Sequence, residues 1–179
     1  SYVTSVSHDG QKLLLSINTQ GPQKWDIGIF DMSEKKYVPL WSSQFNEWIG
    51  GFSPDGKWFC YQSDETGKYE IYIRPTDGSQ SKWQVSTNGG TGPKWLASGK
   101  EIVFTANNEQ LFSVPITLSG DQIVVGQSRL LFRPDSGFQT TIKDVSTDGK
   151  KILVQRTLNA QSLKSASVIF NWQNLVDKK

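Results

Sequence analysis

A short turn motif recurs four times along the chain and constrains the fold more than any other feature. Each copy places a glycine, in three cases directly after an aspartate, between two apolar runs. Glycine adopts positive φ without a Cβ clash and aspartate caps the turn backbone, so the motif predicts a β-hairpin. The copies are Val6-Ser7-His8-Asp9-Gly10, Phe52-Ser53-Pro54-Asp55-Gly56, Trp95-Leu96-Ala97-Ser98-Gly99 and Val145-Ser146-Thr147-Asp148-Gly149. Their glycines are 46, 43 and 50 residues apart, which is the spacing of four-stranded propeller blades.

The strand that follows each turn is apolar at three consecutive positions. A strand with one face in water would alternate apolar and polar residues, so these strands are predicted to be covered on both faces by neighbouring sheets. The four runs are Leu13-Leu14-Leu15, Phe59-Cys60-Tyr61, Ile102-Val103-Phe104 and Ile152-Leu153-Val154.

A third strand recurs in every unit and a fourth in three of them. The third strands are predicted at Trp25 to Phe30, Tyr69 to Ile73, Gln110 to Val114 and Ser167 to Phe170. The fourth strands are predicted at Tyr37 to Trp41, Lys82 to Ser86 and Arg129 to Phe132. The third unit carries an insertion, Ile116 to Asp121 followed by Ile123-Val124-Val125, that lengthens the hairpin between its third and fourth strands. The fourth unit lacks an outer strand, and residues 173–179 form a polar tail or a short helical turn.

These units predict an all-β fold, a β-propeller of four-stranded antiparallel blades with the last blade incomplete. The approximate blades are residues 1–45, 46–89, 90–138 and 139–179, without a further domain boundary. No segment is a convincing helix, and Gln161 to Ala166 is the nearest candidate. The four units predict either a portion of a larger propeller or an unusually small ring. If the four units close into a ring by themselves, the strand from Tyr2 to Ser7 has to be the inner strand of the first blade and also lie near the incomplete last blade.

The second unit resembles the repeat of TolB-like, WD40-like propellers, the PD40 repeat. The resemblance rests on Phe52 to Lys57, the strand Tyr69 to Ile73, and Gly92-Pro93-Lys94-Trp95. Arg129 to Phe132, Asp144 to Val154 and Val168 to Trp172 resemble the C-terminal end of bacterial proteins in which such a propeller follows a kinase or winged-helix domain. His8 and Thr147 depart from the repeat by replacing the turn proline, and the third turn lacks the aspartate. The resemblance implies six to eight blades in full-length relatives and favours a periplasmic or extracytoplasmic location.

Composition excludes several kinds of partner. The chain has 19 basic and 17 acidic residues and a net charge of +2. This nearly balanced charge does not predict binding to nucleic acid or to an anionic membrane surface. No apolar run is long enough for a transmembrane helix, so no membrane insertion is expected. The one cysteine, Cys60, excludes an internal disulfide and lies in an apolar run, where it is predicted to be a small core residue.

The sequence carries no recognisable catalytic or metal site, and no cofactor is expected. The single histidine, His8, fills a turn position, and no G-x-S-x-G motif or kinase signature is present. The turn aspartates Asp9, Asp55 and Asp148 recur once in each of three units, without the spacing of a calcium loop. The residues interpreted as structural turn formers are Asp9, Gly10, Asp55, Gly56, Gly99, Asp148 and Gly149.

The remaining candidate for function is the surface around the central channel. The first strand of every blade lines this channel, and the residues just before the turns are the candidate rim contacts for a ligand or partner. They are Glu47, Trp48, Lys94, Lys143 and Asp144. The alternative is that these charges only bind water or one another. Trp25, Trp41 and Trp83 are interpreted as blade-packing residues rather than a stacking platform.

We therefore expect a non-catalytic propeller module that binds a protein or peptide and acts as the sensor or interaction part of a larger bacterial protein. One alternative is the accessory gating propeller of a prolyl-oligopeptidase-like hydrolase, whose triad would lie in another domain. A second is a small-ligand or glycan binder at the channel mouth. The exposed edge of the incomplete last blade predicts self-association unless the ring closes.

Overall fold

Each turn motif joins the first two strands of one antiparallel sheet. The computed structural model describes residues 1–18, 25–106, 110–120, 122–134, 138–146, 148–158 and 164–170. The first sheet contains β1 (Tyr2–Val6), β2 (Lys12–Asn18), β3 (Trp25–Asp31) and β4 (Lys36–Trp41), in that order. The second contains β5 (Glu47–Phe52), β6 (Trp58–Ser63), β7 (Glu70–Pro75) and β8 (Trp83–Gln84), again in order.

The third and fourth sheets continue the pattern. The third contains β9 (Thr91–Trp95), β10 (Glu101–Ala106) and β11 (Gln110–Ser119), and the outer edge of β11 is shared by β12 (Gln122–Val125) and β13 (Arg129–Phe132). The fourth contains β14 (Phe138–Val145), β15 (Lys151–Leu158) and β16 (Lys164–Phe170). The all-β fold of antiparallel blades, with three strands in the described part of the last one, is therefore confirmed.

The four turns share one backbone geometry. The glycine N–H donates to the carbonyl three residues earlier at 2.8–2.9 Å, and the glycine φ lies between 68° and 73°. In the second turn Ser53 Oγ donates to Asp55 Oδ1 at 2.6 Å and accepts from the Trp58 N–H at 3.0 Å, while Asp55 also accepts from the Lys57 N–H. The first and fourth turns repeat these bonds, and the hydroxyl of the turn serine lowers the pKa of Asp9 and Asp148.

The third turn lacks both the serine and the aspartate, yet it keeps the same fold. Ser98 occupies the aspartate position, and its Oγ accepts from the Lys100 N–H at 3.2 Å. Leu96 occupies the position of the turn serine and is buried at 4% exposure. The backbone bonds from Leu96 N–H to Glu101 O and from Gly99 N–H to Leu96 O are both 2.9 Å. The hairpin therefore depends on the glycine and on these backbone hydrogen bonds rather than on the aspartate.

Three apolar clusters lie between the four successive sheets. The cluster between the first and second sheets contains Leu14, Ile27, Ile29, Phe52, Phe59, Tyr61 and Tyr72. The largest cluster lies between the second and third sheets and includes Trp58, Cys60, Ile71, Ile73, Trp95, Ile102, Phe104, Val114 and Ile116. The cluster between the third and fourth sheets contains Leu96, Val103, Leu111, Leu131, Ile142, Ile152 and Val154. Burial of the second and third sheets on both faces explains their unbroken apolar runs. The prediction is wrong for the last sheet, where Leu153 of β15 is 36% exposed and only one face is covered.

The four sheets form an open arc. β1 pairs with β2 alone, and its side chains include Tyr2 and Val3 at 59% exposure and Val6 at 54%. Within the described residues, β1 makes no strand pair with β14, β15 or β16. In the part of the chain that the structure describes, the strand from Tyr2 to Ser7 therefore does not close a four-blade ring onto the last sheet.

Several strands differ in extent from the sequence prediction, among them β8 and β16. A strand is predicted over Lys82 to Ser86, whereas β8 covers only Trp83–Gln84. The ladder ends there because the Ile71 N–H donates to Ser86 Oγ at 2.8 Å, so a side chain takes the place of a backbone partner. β16 begins at Lys164 rather than Ser167, so the second half of the nearest helix candidate is strand. The predicted tail at 173–179 lies outside the described residues.

The insertion in the third unit is a β-hairpin, as predicted. β11 runs for 10 residues, of which the first part pairs with β10 and the last four pair with β12. β13 then returns to pair with the beginning of β11. The hairpin therefore extends beyond the end of the sheet.

Candidate functional site: the two ends of the inner strands

The inner strands β1, β5, β9 and β14 lie side by side and line the concave side of the arc. Three contacts fix their direction. The ring of Tyr2, at the start of β1, lies 6.5 Å from the ring of Trp48, at the start of β5. Ser5 Oγ, near the end of β1, accepts from the N–H of Phe52, the last residue of β5, at 3.3 Å. The two strands therefore run the same way, which gives the candidate channel a starting end and a finishing end.

An aromatic cluster lies at the starting end. The ring centroids of Trp25 and Trp48 are 4.7 Å apart, and those of Tyr2 and Trp25 are 5.3 Å apart, with interplanar angles of 36° and 39°. Tyr2 is 59% exposed and both tryptophans are half-buried. The three rings come from strands β1, β3 and β5 and thus join the first two sheets. We call Tyr2, Trp25 and Trp48 the aromatic cluster.

Tyr2 is the member of this cluster that the sequence analysis did not single out. The repeat contains a usable signal, because Tyr2 and Trp48 are 46 residues apart, the same spacing as Gly10 and Gly56. The two rings thus occupy one position of the blade. Trp25 packs against a neighbouring blade, as interpreted from the sequence, and also presents part of its surface to solvent.

Glu47 lies at the same end but does not face solvent. It is 0% exposed, and its Oε1 accepts from Trp41 Nε1 at 2.6 Å and from Ser43 Oγ at 2.8 Å. Burial raises the pKa of Glu47 to about 7, against the lowering effect of these two hydrogen bonds and of Arg74. The carboxylate therefore belongs to the contact between the first and second sheets and is not presented to a ligand.

The guanidinium of Arg74 completes this contact. Its carbon lies 3.4 Å from the ring centroid of Trp41, within the range of a cation–π interaction. Its Nε donates to the Tyr61 hydroxyl at 3.1 Å, and the arginine is 4% exposed. The Trp41 indole thus lies between a buried cation and a buried carboxyl group.

The other three predicted rim residues lie towards the finishing end. Lys94 and Asp144 line a cavity of about 470 Å³ together with residues of β1 and β5. Lys94 Nζ donates to the Gly50 carbonyl at 3.1 Å, and Asp144 Oδ1 accepts from the Val145 N–H at 2.8 Å. Lys143 is exposed beside Asp144, at an irregularity in the pairing of β14 with β15. The five predicted residues thus divide between two ends and do not form one cluster.

The residues that the sequence analysis considered for catalysis or metal binding are not assembled into a site in the described part of the chain. His8 is exposed, and the neighbouring Asp9 carboxylate accepts from Ser7 and from the Gln11 N–H. No group of three histidine, cysteine or acidic residues in the described ranges could hold a metal ion. Cys60 is buried in the core, as predicted. Nor does this part of the chain contain a helix with the length and apolarity needed to cross a membrane.

Known proteins with similar sequences and folds agree with this architecture. No protein-family model matches the chain. The Tol-Pal system protein TolB of Helicobacter pylori is 25% identical over 151 residues, which cover 84% of this chain and 36% of the relative. The crystal structure of TolB from Acinetobacter baumannii matches 95% of this chain and 41% of that one, with a TM-score of 0.74 and 19% identity. The chain is TolB-like in sequence and in fold.

Further TolB-like and enzyme structures share the blade arrangement. A putative TolB from Agrobacterium tumefaciens has a TM-score of 0.67 at 17% identity, and the match covers 92% of this chain and 64% of the Agrobacterium chain. Dipeptidyl peptidase 4 of Porphyromonas gingivalis has a TM-score of 0.54 at 14% identity, and the match covers 95% of this chain and 31% of the peptidase chain. These similarities concern the fold alone. The TolB-like chain spans about a third of the length of its curated relatives.

Proposed function

We propose that this TolB-like chain is a non-catalytic propeller module that binds a protein or a peptide at the starting end of its inner strands. The observation that carries the proposal is the aromatic cluster, in which one tyrosine and two tryptophans from two sheets share a partly exposed surface. Tyrosine and tryptophan are enriched among the residues that dominate protein–protein binding energy. They supply a large contact area at a low cost in side-chain entropy.

The surroundings of the cluster support binding rather than catalysis. Trp25 and Trp48 are held by each other across two sheets, so the surface is ordered before a partner arrives. Glu47, beside Trp48, directs its carboxylate into the protein and not towards the rings. The similar TolB chains are named as components of the Tol-Pal system, which favours a role in interaction.

Site-specific photo-crosslinking tests the proposal. Tyr2 is replaced by a photoreactive benzoylphenylalanine, and the chain is irradiated in extract of its source cells. We expect discrete protein adducts, and we expect Trp48→Ala to reduce them about tenfold, as the loss of one aromatic contact implies.

Val124 supplies the matched control, because it is apolar and 61% exposed but lies on β12, away from the cluster. The same photoreactive residue at position 124 should give none of the adducts seen from position 2. Identical adducts from both positions, or adducts insensitive to Trp48→Ala, would contradict the proposal. Binding of the unmodified chain to a glycan array, lost in the tryptophan variant, would instead favour the glycan-binding alternative.

A further inference from the structure

The hairpin inserted in the third sheet leaves part of one strand edge unpaired. β10 pairs with β11 from Gln110 to Pro115, opposite Ala106 to Glu101. β11 then continues for four residues, from Ile116 to Ser119, and only β12 follows it on the other side. The chain of β10 turns away before Glu101, through the third turn motif. No described strand therefore lies beside the extension of β11 on the β10 side.

The backbone groups at this edge can be assigned from two hydrogen bonds. The Ile116 N–H donates to the Lys100 carbonyl at 2.7 Å, so residue 116 points towards the β10 side. The Pro115 carbonyl accepts from the Gly126 N–H at 2.8 Å, so residue 115 points towards the β12 side. Alternate residues of a strand direct their N–H and C=O groups to the same side. The N–H and C=O of Leu118 therefore point to the edge that β10 leaves open.

A groove borders this edge. Its volume is about 820 Å³, and two turns and the extension of β11 form its walls. These walls are Pro54–Asp55 from the second sheet, Ser98–Glu101 from the third, and Pro115–Leu118. The volume falls within the range of about 300–1,000 Å³ typical of ligand pockets. Leu118 is half-buried beside the buried Ile116, so the groove offers apolar surface next to unpaired backbone groups.

The charges around the groove leave one cation uncompensated. Glu101 forms an ion pair of 2.8 Å with Arg129. The Asp55 carboxylate accepts from the Ser53 hydroxyl and the Lys57 N–H within its own turn. Lys100 is exposed and forms no ion pair with any described residue. An occupant that carries a carboxylate near this lysine would complement the groove.

We propose that this groove binds an extended peptide segment of a partner protein, which adds a short strand to the Leu118 edge of β11. The segment carries an apolar side chain against the half-buried Leu118 and a carboxylate near Lys100. Strand addition is a general mode of peptide recognition, with affinity from backbone hydrogen bonds and specificity from side-chain pockets. The third and second turn motifs, which form two walls, lie at the finishing end of the inner strands. This groove is thus separate from the aromatic cluster, and the inference does not rest on the proposed function.

A randomised heptapeptide library displayed on phage provides the test. Selection on the wild-type chain should enrich peptides that combine apolar residues with aspartate or glutamate. Leu118→Pro removes the edge N–H without touching the β12 pairing, and we expect about tenfold weaker binding of the selected peptides, as the loss of one or two hydrogen bonds implies. Ser119→Ala is the matched control, because residue 119 pairs with Gln122 of β12, has an exposed side chain and does not line the groove. It should bind as the wild type does.

Two further variants keep the test decisive if Leu118→Pro does not fold. Ser98→Arg fills the groove from an exposed turn position, and Lys100→Glu reverses its charge. Both variants should bind the selected peptides more weakly than the wild type does. A selection on Lys100→Glu should instead enrich peptides with lysine or arginine. With a selected peptide bound, amide hydrogen exchange at Leu118 should slow. Absence of enrichment on the wild type, or selected peptides that bind equally to Ser98→Arg and Lys100→Glu, would overturn the proposal.

Discussion

The indole N–H of Trp41, in the outermost strand of the first sheet, donates a hydrogen bond of 2.6 Å to Oε1 of Glu47, in the innermost strand of the second. This bond joins neighbouring sheets within a mainly apolar interface. Its acceptor is a fully buried carboxyl group whose pKa burial raises to about 7. Asp26 raises the pKa further, whereas Arg74 lowers it. The contact between the two sheets therefore depends on the protonation state of one residue.

The raised pKa of Glu47 predicts that stability falls as the pH rises. The ordinary value is 4.5, so between pH 4.5 and about pH 7 the folded state retains a proton that the unfolded state has released. The free energy of unfolding then decreases with pH across this window. The shifted pKa of Glu47 lowers the free energy of unfolding by about 3 kcal/mol in total across this window, at roughly 1.4 kcal/mol per pKa unit. Urea unfolding of the wild type and of Glu47→Gln at several pH values between 4.5 and 7.5 measures it.

Glu47→Gln should remove this part of the pH dependence, because the amide stays neutral and its oxygen can still accept from Trp41 and Ser43. The variant should gain stability relative to the wild type as the pH rises. Glu34→Gln, the same change at an exposed residue of the β3–β4 turn, is the control. Equal slopes for the wild type and Glu47→Gln would show that Glu47 does not titrate in this window.

The turn serines predict a position-dependent loss of stability. Ser53 is 1% exposed, and its Oγ bonds both Asp55 and the Trp58 N–H. Ser53→Ala leaves a buried N–H with one fewer acceptor and should cost about 1–3 kcal/mol. Ser146 makes the same bonds in a more exposed turn, so Ser146→Ala should cost about 0.5 kcal/mol or less. Urea unfolding of the two variants would contradict this account if their losses were equal.

Local patterns made most of the fold predictable from the sequence. The turn glycines and the inserted hairpin depend on neighbours within one sheet, and each was predicted at its observed place. The turn at Gly99 was recognised without its aspartate because glycine at positive φ is the feature that the hairpin needs. The end of β8 was not predicted, because it depends on the bond from Ile71 to the Ser86 side chain, 15 residues away.

The candidate site was less predictable, because it depends on contacts between sheets. The sequence places Glu47 at the rim, whereas packing against Trp41 and Ser43 turns its carboxylate inward. Tyr2 and Trp48 meet only because β1 and β5 lie side by side. The repeat spacing aligns these two positions, but it does not show that the rings remain partly exposed.

The close approach of the inner strands predicts that any side chain at Gly50 lowers the stability of the fold. A Cβ at Gly50 would lie 2.1 Å from the Pro93 carbonyl oxygen and 2.9 Å from Cys60 Sγ. Both are parts of the packed interior, so Gly50→Ala must separate β5 from β9 and should cost about 1–3 kcal/mol or more. Thermal or urea unfolding measures the loss.

Gly28 provides a matched control for this prediction. Its Cβ would lie 2.2 Å from the Tyr37 ring, so the contact is equally short. Tyr37, however, is 39% exposed and can swing towards solvent. Gly28→Ala should therefore cost less than Gly50→Ala. An equal or larger loss at Gly28 would show that the separation of β5 from β9 is not the limiting contact.

The buried thiol of Cys60 predicts that chemical labelling reports unfolding. Cys60 is 0% exposed, and burial raises its pKa to about 12. The thiolate is the reactive form, and at pH 8 it would be about one part in ten thousand. Labelling by iodoacetamide in the native state should therefore be very slow and should accelerate with urea as the chain unfolds. Val124→Cys in a Cys60→Ser background places a thiol at a 61% exposed position and should react at once. Rapid native-state labelling of Cys60 would mean that the second and third sheets separate frequently, because its side chain lies in the cluster between them.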